Sequence, residues 1–226
     1  MEKYVISIDV GIVNLGICIF VVDDIEIKKI YEWKVISLVE DKKICSSFLK
    51  SGKACKSIAK YSNSYGCFCN RHLIDSTAKQ IKQIDSKKVD MVSLGINLKQ
   101  ALDSVCLDIS GNIETVLIEN QISPIANRMK TMQGMIMQYF IMRNVKNIEF
   151  ISAINKLKII GTEEIVGEKK TYKSRKELGI KITEKLIKEK ECLRSDKFIG
   201  NKKDDLADAL LQGLYFLTTK NKKKMY

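Results

Sequence analysis

At 226 residues and 45% apolar content, the chain suits one α/β domain carrying a small additional module. It opens directly on a strand-like run and has no stretch of 18 apolar residues, so neither a signal peptide nor a membrane span is expected, and the protein should be intracellular and soluble. The net charge of +12, from 39 Lys and Arg against 27 Asp and Glu, favours a polyanionic partner, most simply nucleic acid. Charge alone fits an acidic membrane surface too, and the chain is rich in Lys and Ile with Pro124 as its one proline, so composition supports this reading without deciding it.

The first strand runs to about Val10, and alternation puts Val5, Ser7 and Asp9 on one face. A carboxylate set among β-branched residues needs a cation or several donors, and Gly11 lets backbone or ligand come close. A second strand, Leu15 to Val22, and a third, Ile25 to Leu38, follow through an Asp23-Asp24 turn. They complete an antiparallel meander in which Tyr31 and Trp33 should share a face.

From about 39 to 93 the apolar period fails, and Lys, Ser, Gly and Cys accumulate, which marks an insertion. Apolar spacing predicts a helix from about Ile96 to Ile109. The strand Thr115 to Gln121 repeats the opening pattern and ends on Glu119, as a strand entering a site at its carboxyl end would. After Pro124 a helix is expected from about Ile125 to Met142. Its methionines at 129, 132, 135, 137 and 142 read as adaptable core or a dimer contact, and Asn127, Arg128 and Lys130 lie where a phosphate could bind.

A strand at about 147–152 precedes a basic, polar stretch, 155–173, read largely as a loop around Gly161 and Gly167. A helix from about Ser174 to Glu191 comes next. The last helix should run from about Asp204 to Thr219, with a basic tail, 220–226, adding phosphate affinity. Asp205 and Asp208, three apart, share one face of its first turns at roughly 5 to 6 Å.

Asp9, Glu119, Asp205 and Asp208 together suit two hard divalent cations about 3.5 to 4 Å apart, the arrangement of phosphoryl chemistry. Other chemistries fit less well. A serine or cysteine triad needs a core histidine, and the single one, His72, lies in the insertion. A nucleotide P-loop needs Lys-Ser or Lys-Thr after its second glycine, whereas Gly16 precedes Ile17-Cys18.

In the insertion, Cys45, Cys55, Cys67 and Cys69 converge on His72. In an intracellular chain such clustering favours a structural zinc ion over disulfides, and the compact Cys69-x2-His72 pair favours Cys45, Cys55, Cys69 and His72 as ligands with Cys67 spare. Cys18, Cys106 and Cys192 lie in or beside apolar elements and read as packing.

Four short motifs in order carry a family likeness. They are Asp9-Val10-Gly11-Ile12-Val13-Asn14-Leu15-Gly16, Ile118-Glu119-Asn120-Gln121, Tyr172-Lys173-Ser174-Arg175-Lys176 and Lys203-Asp204-Asp205-Leu206-Ala207-Asp208-Ala209. In these the chain resembles the RuvC-type Holliday junction resolvases, closest to the poxvirus and large DNA virus branch, over its whole length apart from the insertion. The resemblance implies a ribonuclease H-like mixed sheet, a meander plus parallel strands flanked by helices. It also implies a homodimer, two magnesium ions per site, and paired nicks in four-way DNA junctions that leave ligatable ends at sites of viral DNA replication. It gives catalytic roles to Asp9, Glu119, Asp205 and Asp208, and to Lys176, with Lys173 as the alternative. Lys173, Arg175, Arg128 and Lys130 are then the expected DNA contacts. Two other functions stay in view: a ribonuclease H-fold nuclease on RNA or linear DNA, as in YqgF-type proteins, and a zinc-bearing DNA architectural protein with no catalysis.

Overall fold

The computed structural model describes residues 2–24, 26–39, 43–75, 77–81, 88–121, 127–160, 171–200 and 202–224. Pro124, the 161–170 stretch with its two glycines, and the end of the basic tail lie outside them. The chain divides into two compact units, Met1–Leu38 with Met91–Tyr226, and Val39–Asp90.

The larger unit is built on a five-stranded sheet. Strands β1 (Lys3–Asp9), β2 (Leu15–Asp23) and β3 (Glu26–Ile36) form the antiparallel meander, with Asp24 taking up a positive φ of 55° in the β2–β3 turn. In the smaller unit lie the short strands β4 (Tyr61–Asn63), β5 (Gly66–Phe68) and β6 (Lys79–Gln80). The larger sheet then continues with β7 (Ile113–Glu119), parallel to β1, and β8 (Ile148–Ile151), parallel to β7, giving the order β3-β2-β1-β7-β8. Because both faces are covered, β1 and β2 are buried almost throughout and β7 is buried from Thr115 to Ile118, with no alternation of buried and exposed positions.

Helices α1 (Met91–Cys106) and α2 (Asn127–Ile141) pack together, with α2 against β7. Two more, α3 (Tyr172–Glu189) and α4 (Lys203–Lys224), pack on each other, and α4 lies on β1 and β2. Leu210, Leu211, Leu214 and Leu217 of α4 join Val5, Phe20, Val22, Trp33 and Leu117 in one buried cluster. Each such side chain, removed from water, stabilises the fold by about 1.5–3 kcal/mol.

Several boundaries differ from those read off the sequence. The helix α1 starts at Met91, not near Ile96, and runs into a 3-10 turn, Leu107–Asn112. Its inward positions are Leu94, Leu98, Ala101, Leu102 and Val105, so Ile96 points outward. The stretch after β8 is no loop at first, since Ala153–Ile160 winds into a 3-10 helix. Thr171 caps α3, accepting from the Ser174 amide at 3.3 Å, and so starts it two residues early. The last helix continues to Lys224 instead of ending near Thr219.

Tyr31 and Trp33 do not share a face. Ile19 pairs with Glu32 and Phe20 with Ile30, so Tyr31 is the extra residue of a bulge. It meets Tyr4 edge-on at 5.3 Å, while Trp33 is buried against Phe198 and donates its indole N–H to Leu206 O at 3.0 Å.

The smaller unit holds the β5-β4-β6 sheet and a second hairpin of near two-fold pattern. Ile44 bridges Ile58, Phe48 bridges Ala54, the Cys45 amide donates to Ser57 O, and the Cys55 amide donates to Ser47 O. Ser46 ties this hairpin to β5 by donating its amide to Cys67 O at 2.7 Å and accepting the Cys67 amide on Oγ at 3.1 Å.

A candidate acidic active site

Asp9 ends β1 on the face turned to α4, and Glu119 ends the neighbouring parallel strand on the same side. Helix α4 begins beside them, carrying Asp205 and Asp208. All four carboxylates line one cleft of about 450 Å³. Two features hold the helix there. Gln212, one turn beyond Asp208, is buried and donates to Ser7 Oγ and Ile8 O at 3.2 Å and to Leu117 O at 3.4 Å, bracing α4 against both carboxylate-bearing strands. Gly16 is the second: a Cβ there would stand 2.7 Å from Asp205 O and 3.2 Å from the Asp9 Cβ, so only glycine allows this approach.

Glu119 is braced from its own strand end. Gln121 donates its side-chain amide to Glu119 Oε2 at 2.9 Å, while the Gln121 backbone amide is held by Gln133 of α2.

At the centre of the carboxylates sits a residue the sequence reading passed over. Lys156, on the 3-10 turn after β8, is only 3% exposed. Its Nζ lies 2.6 Å from Asp9 Oδ1, 3.0 Å from Glu119 Oε1 and 3.4 Å from Asp208 Oδ2. Burial alone would lower the pKa of such an ammonium. Here the charges of Asp9, Asp208 and Glu119 outweigh it and hold the lysine pKa above its ordinary value.

The carboxylates are raised as well, but there burial is the leading cause. Burial raises Asp9 to about 6, opposed by Lys156 and reinforced by Glu119. Asp208 is raised by burial against the pull of Lys156, and Asp205 by burial and the neighbouring Asp204 charge.

Lys176, in the first turn of α3, also lines the cleft; it is hydrogen-bonded to Asp204, with Asp205 Oδ1 at 3.9 Å. That bond and charge draw Asp204 below the usual carboxylate range despite its burial. Arg175 lines the same wall. Lys173 is exposed on that turn and is not part of the lining. Arg128 and Lys130 flank Met129, which is.

The donor set suits divalent cations. Of the groups lining the cleft, Asp9, Glu119, Asp205 and Asp208 bring four negative charges against three positive ones from Lys156, Arg175 and Lys176, and Asp205 Oδ2 is buried without a hydrogen-bond partner among the described residues. Hard oxygen ligands in negative excess are what magnesium-class ions bind.

In the smaller unit, ligand atoms of Cys45, Cys55, Cys69 and His72 lie within 4.8 Å of one another, and Cys67 is not among them. His72 Nδ1 is 3.4 Å from Cys45 Sγ and 3.5 Å from Cys69 Sγ. Cys45 is lowered to about 6: burial works against this, but amides of Cys69 and Ser47 and the His72 ring favour its thiolate. Among the other cysteines, Cys18 and Cys106 are buried, and burial pushes Cys106 up to about 12.

No family model matches the chain. A protein of Acanthamoeba polyphaga mimivirus, itself uncharacterised, is 31% identical over an alignment taking in 76% of this chain and 48% of that one, so the chain spans about half the length of this relative. Solved structures show the fold. The yeast mitochondrial Holliday junction resolvase Ydc2 superposes with a TM-score of 0.53 at 16% identity, covering 99% of this chain and 83% of that chain. Fowlpox virus resolvase, solved with Holliday junction DNA, gives 0.52 at 14%, covering 96% and 99%. Thermus thermophilus RuvC with its junction substrate gives 0.53 at 12%, covering 98% and 96%. None of the described helices is long and apolar enough to cross a membrane.

Proposed function

We propose that this chain, which has the ribonuclease H-like fold of the Holliday junction resolvases, is a DNA endonuclease that nicks four-way junctions in symmetric pairs with magnesium as cofactor. The observation that carries the proposal is the convergence of Asp9, Glu119, Asp205 and Asp208 in one cleft walled by Arg175 and Lys176. Two divalent ions held by these four carboxylates would supply an activated water and charge at the departing oxygen.

The chain's own groups do the rest. Arg175 and Lys176 line the same cleft as the acids, where their charges would draw in and orient a scissile phosphate. Lys156 places a fixed positive charge beside the carboxylates in a poorly solvated setting, where it opposes the negative charge that builds during phosphoryl transfer. The catalytic lysine is thus better sought at Lys156 and Lys176 together than at Lys173.

A four-way junction has two-fold symmetry, which a homodimer would match with one acidic cleft per strand. Val92 and Ile96 of α1 and Met142 beyond α2 are exposed and apolar, and supply material for such a contact. In the smaller unit, Cys45, Cys55, Cys69 and His72 would hold one structural zinc ion, whose role is to fix a fold with little apolar core of its own.

The test is direct. A synthetic junction and a linear duplex of the same sequence are incubated with the protein, with and without magnesium, and the cut strands are mapped. Paired, magnesium-dependent nicks near the branch and little cutting of the duplex are expected. Equal cutting of linear DNA or of an RNA hybrid would replace junction resolution with a general nuclease, and tight binding without cutting in any divalent metal would indicate an architectural protein.

A further inference from the structure

The smaller unit carries charge and exposed apolar surface that the acidic cleft does not use. Between positions 43 and 74 there is no Asp or Glu, although the chain has 27, while Lys43, Lys50, Lys53, Lys56, Lys60 and Arg71 all fall there and are all exposed. Set among them are two aromatic side chains in the open, Phe48 at 68% and Tyr65 at 86% exposure.

Both aromatics sit at the ends of hairpins held in place by the backbone. The Phe48 turn is closed by Leu49 N–H to Lys53 O at 2.7 Å and Gly52 N–H to Leu49 O at 2.9 Å. At the other turn the Tyr65 amide donates to Asn63 Oδ1 at 2.9 Å, and Ser46 joins the two hairpins. The nearest acid, Asp75, is engaged by Asn63 at 3.0 Å and by the Thr77 amide and hydroxyl at 2.8 and 2.6 Å. An ordered turn that shows an aromatic ring to water and brings lysines with it suits a ligand with π-faces and distributed negative charge.

We propose that this unit is a second nucleic-acid contact, in which Phe48 and Tyr65 stack on unpaired bases while Lys50, Lys53 and their neighbours hold the adjoining phosphates. The contact requires no chemistry at the acidic cleft. It favours DNA with unstacked bases over fully paired duplex, because an intact stack offers no face for a ring.

The 226-residue chain, loaded with zinc and without added magnesium, is titrated against a fluorescent single-stranded oligonucleotide and against the matching duplex. For Phe48→Ser combined with Tyr65→Ser, affinity for the single strand should fall about tenfold or more, with a change of less than about threefold on duplex. For Lys50→Ser combined with Lys53→Ser, both should weaken, and the slope of log affinity against log salt should drop by roughly 1.5. Zinc content and far-ultraviolet dichroism of each variant show whether it has kept its fold. Wild-type affinity and slope in folded variants would overturn the proposal, as would equal loss on both DNAs in the aromatic variant, or wild-type protein that sediments with anionic vesicles and ignores DNA. Junction cleavage by the wild type is scored separately: absent cleavage with these affinity losses intact removes the nuclease reading and leaves this one standing.

Discussion

The ammonium of Lys156 lies 2.6 Å from Asp9 Oδ1, although the two residues are 147 positions apart and come from a 3-10 turn and a strand end. A buried pair of this kind adds little by forming, but breaking it leaves a charge with no compensation.

Lys156→Met should therefore leave Asp9, Glu119 and Asp208 facing one another without the ammonium. In protein free of divalent ions, unfolding free energy should fall by about 3 kcal/mol. Added magnesium should restore more stability to this variant than to the wild type, since a bound cation takes over part of the lost charge. Cleavage at saturating magnesium should drop by about 10²-fold. Identical thermal melts for variant and wild type without divalent ions would remove the central role given to Lys156.

For the acids and the α3 lysine, activity and binding should part company. Asp208→Asn should abolish cleavage while DNA binding stays intact or tightens, because a charge repelling phosphate has gone. Lys176→Ala should slow cleavage by about 10²-fold at saturating magnesium, whereas exposed Lys173 should alter affinity alone. Single-turnover assays with saturating protein separate the two effects, and wild-type rates in Asp208→Asn would sink the assignment.

Purified protein should carry one zinc ion per chain. Removing it with a chelator, or replacing Cys69 by Ser, should unfold the smaller unit first, seen as protease cuts between 43 and 81 before any elsewhere. Metal analysis that finds no zinc in protein prepared without chelator would refute the site.

Asp103 offers a pH test in the larger unit. It accepts hydrogen bonds from Lys99 at 2.6 Å, from the Tyr139 hydroxyl at 2.9 Å and from Arg143, and so links α1 to α2. Its carboxyl is held below the ordinary 3.8, first by Lys99 and then by Tyr139. A depressed carboxylate stabilises the fold above its unfolded pKa, and that gain is lost as pH falls through the folded one. Asp103→Asn should cost about 1 kcal/mol at neutral pH, the partners being partly exposed, and the gap from wild type should close below about pH 4. A gap unchanged at pH 3 would show that the carboxylate charge is not what matters.

What the sequence disclosed was whatever depended on local pattern. Asp9 and Glu119 stood out because a carboxylate closing an apolar strand is costly anywhere but in a site, and Asp205 with Asp208 because helical spacing brings them together. Lys156 left no such mark, being one lysine in a chain full of them, on a turn whose sense depends on β8 and α4 packing around it. Tyr31 was misplaced because a bulge shifts alternation by one residue and has no composition of its own. The start of α1 lies before its apolar periodicity becomes regular, and the local signal there is Asp90, a helix-capping residue type directly before Met91.

Gly16 bears on how this protein can vary. Because the Asp205 carbonyl would stand 2.7 Å from any Cβ at that position, the missing methyl works as a spacing gauge between β2 and the start of α4. A side chain there would act as a wedge, prising the helical pair of acids away from the strand pair while the apolar contacts farther along α4 still hold. Drift at this position would thus yield chains that fold and keep all four acids, yet no longer bring the two pairs to a common centre.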